Sequence, residues 1–321
     1  MNYLKRLEEV SAKDILLVGG KAASLGELIQ AGLPVPNGFV ILTSAFVAWI
    51  RASGYQTRVE ELIQTTRDQN IGSLEHISEQ IRSWLLPIPL SNDLIDEINQ
   101  AFQALGKPLV AVRSSAQAED GKNAAWAGQL ETYLCTTKET LLQHVKECWI
   151  SLFSPRALTY ALGKKIDKIV PVAVIVQSMV ESEGAGVVFS VHPVSKNENQ
   201  LIIEASYGLG EAIVSGQVTP DSFVVQKEPP AILEQQISTK TRGLYRKQAG
   251  GTEWKEIAKD RAKLPVLSEQ QILELASLVM QIERQSGFPC DIEWAMVDEE
   301  FFILQSRPIT TLGSDSHPTR A

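Results

Sequence analysis

The stretch DIEWAMVDEEFFILQSRPIT, residues 291–310, concentrates residues able to do chemistry. It alternates as a pair of strands does, yet polar groups interrupt both: Asp291 and Glu293 in the first, Gln305 and Arg307 in the second. Residues two apart in a strand share a face. With VDEE as the turn, the strands run antiparallel and their polar faces meet. The product is a cluster of carboxylate oxygens, an amide oxygen and a guanidinium. Such oxygens suit Mg²⁺, which keeps phosphate oxygens and waters for the rest of its shell, and Arg307 beside them suits a phosphate chain. On spacing alone, a salt-bridged sheet edge from Glu293 to Arg307 is the alternative.

Other segments carry compatible groups. VGGKAASLGEL, 18–28, sets two glycines before Lys21 at a helix start. Helix N-terminal N–H groups favour an anion and a lysine adds a point charge; a glycine turn with a solvated lysine reads equally simply. The GxxxxGK[ST] pattern of a Walker loop is missing. VAVRSSAQAED, 110–120, puts Arg113 at the end of an apolar strand, where its fork meets either a carboxylate of the fold or phosphate oxygens. GKNAAWAGQLETYL, 121–134, is a candidate phosphate-covering loop, with Gly128 for close backbone approach and Thr132 for a hydroxyl. VIVQSMVESEGAGVVF, 174–189, reads as strand, polar interruption, strand. It suits an adenine held on a connection between lobes, with Gln177 toward base or ribose, or else an ordinary hairpin. Of the histidines, His76, His144, His192 and His317, none lies in a Gly- and Thr-rich loop that would expose a phosphorylatable imidazole. His192, in SVHPVS, is the one placed to take part.

The elements that must position these groups divide by pattern. Residues 44–106 read mostly as helix, with PIP at 87–89 as a break, and 138–162 as one or two more helices. GGKAAS reads as a loop entering a helix, SLGELIQAG. Beyond Pro171, apolar alternation gives a run of strands, with one clear helix at 268–286. The expectation is a two-lobed α+β chain: a helix-rich lobe at 1–175, a strand-rich lobe at 176–312, and a polar tail, 313–321, expected to be disordered. A ligand cleft is expected between the lobes.

Bulk properties narrow the classes. The 321 residues are 44% hydrophobic and 21% charged, with net charge −8, so no broad basic field invites nucleic acid. Cys135, Cys148 and Cys290 are few and scattered, which fits neither a disulfide framework nor a zinc site. The charged N-terminus is unlike a signal peptide and no apolar run reaches the roughly 20 residues of a membrane span, so a cytoplasmic protein is expected.

Taken together, GGKAASLGEL, VPNGFVI, VAVRSSAQAED, AGQLETYL, VIVQSMV, GAGVVFS, YGLGEAIVSGQVTPDSF, DIEWAM and LQSRPIT resemble, in order, the N-terminal ATP-binding domain of phosphoenolpyruvate synthase, pyruvate phosphate dikinase and rifampicin phosphotransferase. The resemblance covers about residues 14–312. It implies an ATP-grasp-like α+β fold with the nucleotide between two lobes. It implies phosphate binding and catalysis by Lys21, Arg113 and Arg307, nucleotide contacts at Gly128 and Thr132, and an adenine-side contact at Gln177. Glu293 and Gln305 would hold Mg²⁺. DGKNAAWAG is more polar than the family's usual small-residue run. Family enzymes also continue past SRPIT into a swivelling domain with a catalytic histidine and, in the synthase and dikinase, a barrel for pyruvate. The resemblance therefore implies phosphoryl transfer from Mg·ATP to a histidine on a separate domain or partner, then to a small-molecule acceptor, with AMP and phosphate released. A rifampicin-type or other direct small-molecule phosphotransferase, and a non-catalytic nucleotide-binding module, are the alternatives.

Overall fold

The computed structural model describes residues 2–65, 71–117, 130–164, 166 and 168–310. Gly128 and the tail from 313 lie outside the described residues. The chain divides into two compact units, one of residues 1–30, 36–179 and 247–251, the other of 31–35, 180–246 and 252 onward.

The first unit contains helices α1 (Ile15–Gln30), α2 (Thr43–Ala52), α3 (Gln56–Thr65), α4 (Ile71–Leu85), α5 (Asn92–Leu105), α6 (Lys138–Ile150) and α7 (Pro155–Gly163). They accompany strands β1 (Leu4–Arg6), β2 (Gly38–Ile41), β3 (Val110–Ala116), β4 (Thr132–Thr136) and β5 (Val172–Ser178). The strands form one sheet in the order β1-β2-β5-β3-β4, antiparallel throughout. Every residue of β3 is buried, as its unbroken apolar start requires. Phe46, Trp49 and Trp149 centre the core, with Trp149 ring centroids 5.8 Å from Phe46 and 5.2 Å from Trp49. PIP falls between α4 and α5, as its two prolines dictate.

At Gly-Gly-Lys the structure differs from the expected loop. Helical backbone brackets a single break at Gly19, φ 75° and ψ 169°. That region is open essentially to glycine alone, so one residue turns the chain and Lys21 already lies in the helix.

The second unit contains β6 (Gly184–Phe189), β7 (Gln200–Tyr207), β8 (Asp221–Gln226), β9 (Ala231–Gln236), β12 (Cys290–Val297) and β13 (Glu300–Pro308) in one antiparallel sheet, ordered β13-β12-β6-β7-β8-β9. A separate hairpin pairs β10 (Arg242–Arg246) with β11 (Thr252–Glu256). Helices α8 (Glu211–Val214) and α9 (Glu269–Ser286) complete it. Both large sheets are antiparallel and the helices are set apart in sequence, so the class is α+β as expected. Because β5 and β6 lie in different sheets, residues 174–189 are not the ordinary hairpin that the pattern also allowed.

One face of the larger sheet is apolar and takes α9. Ile272, Leu275, Val279 and Ile282 of α9 are buried, as are Ile203, Phe223, Ile292, Trp294 and Ile303 of the strands. Each such side chain contributes about 1.5–3 kcal/mol. Ser268 caps α9 through a reciprocal box with Gln271, and Gly287 at φ 73° closes it. The hairpin β12–β13 turns at Asp298 and Glu299, with φ of 51° and 64°. Both central residues at positive φ define the tight turn whose twist matches the flanking strands. It falls within VDEE, where the alternation placed it. A buried ion pair holds another corner of this unit: Lys240 Nζ and Asp221 Oδ1 lie 2.5 Å apart with both side chains fully buried, and Asp221 also accepts from Ser238 N and Val266 N.

Candidate functional site

The candidate residues fall into two groups, one in each unit. In the first, α1 is fastened to the end of β3. Ala22 N donates to Ser115 Oγ at 3.1 Å and Lys21 Nζ to the Ser114 carbonyl at 3.2 Å. A Cβ on Gly19 would stand 2.1 Å from the Ser115 carbonyl oxygen, so only glycine permits this approach. Ser114 donates through N and Oγ to the Glu131 carbonyl at 3.3 and 3.2 Å, which draws in the start of β4. Arg113 stands opposite Thr132 in the β3–β4 ladder, and directly paired residues share a face. Lys21 and Arg113 are 6% and 7% exposed, unusual for cations unless partnered. Arg113 and Thr132 thus share a sheet face, and Lys21 reaches the carbonyl of the residue next to Arg113.

Gln177 is placed otherwise. It is 2% exposed and its Nε2 donates to the Pro36 carbonyl at 3.2 Å, which fixes the amide against the turn before β2.

In the second unit the cross-strand relation expected from the opening stretch is present. Glu293 pairs with Gln305 and Asp291 with Arg307. Arg307 Nε donates to Asp291 Oδ2 at 2.8 Å, with Nη2 2.7 Å from the same oxygen. Arg307 thus forms an ion pair with Asp291, its cross-strand partner. A register shift between Glu293 and Trp294 sets Trp294 opposite Ile303, leaving Leu304 as the extra residue of a β-bulge. Burial raises the Asp291 pKa above the usual carboxylate range; Arg307 opposes the shift and Glu293 adds to it.

The same sheet face holds a group that the motif reading passed over. Glu293 pairs with Val187 of β6, and Val187 with Glu204 of β7. Glu204 is half-buried, and burial followed by the Asp291 charge pushes its pKa up. Its signal was a lone carboxylate inside the apolar run LIIEAS.

His192 has a local job. Its Nδ1 accepts from Val194 N and Ser195 N, each at 3.2 Å, and so organises the turn after β6. His144 Nδ1 lies 2.7 Å from Thr136 Oγ1 and its ring stacks on Tyr133.

Comparison with known proteins decides the family. Residues 15–320 match the model described as pyruvate phosphate dikinase, AMP/ATP-binding domain. The chain belongs to this family. It is 39% identical over 320 residues to a probable phosphoenolpyruvate synthase of Methanocaldococcus jannaschii, covering 97% of this chain and 27% of that protein. Against a rifampicin phosphotransferase of Bacillus cereus it is 40% identical, covering 97% and 36%. Against a probable phosphoenolpyruvate synthase of Archaeoglobus fulgidus it is 43% identical, covering 95% and 41%. The chain spans about a quarter to two fifths of these relatives. Among solved structures, a D-alanine–D-alanine ligase of Bacillus anthracis aligns with TM-score 0.30 and 9% identity over 74% of this chain and 57% of that one, a score from which no shared fold follows.

The donor set around Glu293 agrees with a hard cation. The oxygens of the Glu293–Gln305 pair come from a carboxylate and an amide. No group of three or more His, Cys, Asp or Glu able to hold a metal exists among the described residues. Mg²⁺ takes one or two protein oxygens and completes its octahedron with phosphate and water. No helix among the described residues is long and apolar enough to cross a membrane.

Proposed function

We propose that this chain binds Mg·ATP and donates a phosphoryl group to a histidine carried by a separate swivelling domain or partner, which passes it to a small molecule. The observation that carries the reading is the paired arrangement on β12 and β13, Glu293 with Gln305 and Asp291 with Arg307, in a member of an AMP/ATP-binding family. An ATP-grasp-like mode of binding is part of this reading.

Lys21, Arg113 and Arg307 hold phosphate oxygens, and Thr132 and Gly128 cover them. Gln177 contributes to the adenine side. Glu293 and Gln305 hold Mg²⁺, which supplies charge neutralisation on the phosphates when bound. Phosphoryl transfer asks the protein chiefly for positioning and electrostatic stabilisation, and this residue set supplies both. Lys21 and Arg113 act from buried positions, where electrostatic interaction is strengthened. With one water consumed in breaking the second phosphoanhydride bond, the product set is AMP, phosphate and a phosphohistidine that hands its phosphoryl group on.

Comparable identity to a named synthase and a named rifampicin phosphotransferase, 39% and 40%, supports either pyruvate or a hydroxyl-bearing compound of the rifampicin kind as final acceptor. The test is product identification by ³¹P NMR after incubation with Mg²⁺ and ATP, with and without a separately produced histidine-bearing domain from a relative. AMP and phosphate formed only with that domain support the proposal. ADP formed with a small acceptor alone supports a direct kinase, and binding without turnover under every condition leaves a nucleotide-binding module.

A further inference from the structure

We propose that Glu204 is a further residue of the metal–nucleotide site, accepting hydrogen bonds from water on the cation held by Glu293 and Gln305. The inference rests on the Mg·ATP reading above and adds a positioning residue to it.

The placement follows from register. Gln305, Glu293, Val187 and Glu204 are successive partners across β13, β12, β6 and β7. Paired residues share a face, so all stand on the side of the sheet away from α9. On β7, Leu201, Ile203 and Ala205 are buried on the apolar side, while Ile202 and Glu204 are half-buried on the other. The β7 backbone is held close at this point, because a Cβ on Gly186 of β6 would lie 1.8 Å from the Glu204 carbonyl oxygen.

The Glu204 carboxylate has no side-chain hydrogen bond or ion pair among the described residues, and the charged group acting on it is the like-charged Asp291. A half-buried carboxylate so placed is unfavourable. A donor or cation beside it would relieve that cost. A bare phosphate would be repelled, so a hydrated cation is the matching ligand. Adjacent strands lie about 4.8 Å apart, which puts the Glu204 and Glu293 backbones about 10 Å apart across Val187. A Mg²⁺ joined directly to one carboxylate and through a water to another spans about 7 Å between them, within reach of two glutamates.

The test compares the whole chain with Glu204→Gln, and with Glu204→Asp as a charge-retaining variant. Calorimetry measures ATP binding across a Mg²⁺ series and in EDTA, and melting is followed without ligand. We expect the Mg²⁺ concentration for half-maximal binding to rise about tenfold in Glu204→Gln, with a smaller rise in Glu204→Asp. Binding in EDTA should be no weaker than wild type, and the melting temperature equal or higher. An unchanged Mg²⁺ requirement overturns the inference, as does an equal loss with and without Mg²⁺, or a lower melting temperature marking a structural role. If the wild-type chain itself takes up no nucleotide in a Mg²⁺-dependent way, the Mg·ATP reading falls and this inference with it.

Discussion

Asp291 and Arg307 face each other across β12 and β13, and a single carboxylate oxygen meets both Nε and Nη2 of the guanidinium. Arg307 is therefore aimed by its partner as well as charged. Arg307→Met would leave Asp291 in a half-buried place beside Glu293 without that cation, and should destabilise the fold by about 1–3 kcal/mol. Adding Asp291→Asn should recover most of that loss while nucleotide affinity stays low in both. Urea denaturation and calorimetry on the single and double variants decide it; a single variant as stable as wild type refutes the pairing argument.

Lys21 should behave differently. Its ammonium meets the Ser114 carbonyl at 3.2 Å in a buried position. Lys21→Met keeps the chain's bulk and removes the charge, so ATP affinity should fall at least about tenfold, or about 1.4 kcal/mol, with the near-UV circular dichroism unchanged. Lys21→Arg should not restore affinity, because a planar fork does not fit where a point charge sits. Full affinity in either variant would remove Lys21 from the phosphate site.

Gly19 carries the approach of α1 to β3. Gly19→Ala sets a Cβ against the Ser115 carbonyl and forces an alanine to φ 75°. The loss of stability should exceed about 2 kcal/mol. Thermal melting checks it, and nucleotide affinity should drop in the same variant since Lys21 is two residues on.

A pH dependence follows for Glu204. Burial first, then Asp291, lift its pKa above an unperturbed glutamate's 4.5. For a carboxyl with a raised folded-state pKa, the favourable contribution exists while it is protonated and is lost as pH rises through the folded value. Glu204→Gln is neutral throughout. The two unliganded proteins should melt together below pH 4.5, and the variant should pull ahead as pH rises above that value. A difference of the opposite sign, or one that does not vary with pH, would contradict the burial of this group.

Much of this was legible in the chain. The pairs 291/293 and 305/307 were readable because each lies wholly on one side of the bulge at Leu304. Carried straight through, alternation would set Ile303 on the face of Gln305, whereas Ile303 is buried opposite Trp294 on the apolar side. No residue type announces that interruption. Glu204 went unread because its partners on the sheet are brought in by β6, and cross-strand register is not local in sequence. His192 offered a titratable ring after a strand, but its Nδ1 is engaged by Val194 and Ser195 backbone N–H groups, a loop geometry without periodic signature. The break at Gly19 shows the same limit in reverse: two glycines announced a turn, and tertiary contact with Ser115 compressed it to one residue.

The fastening of α1 to β3 has a wider consequence. Lys21 and Ser114, 93 residues apart along the chain, are joined by a direct hydrogen bond, and Ala22 and Ser115 by another. The ordering entropy of the Lys21 side chain is therefore met when the chain folds. An anion bound at Lys21, as proposed, would meet a charge already set in place by the fold.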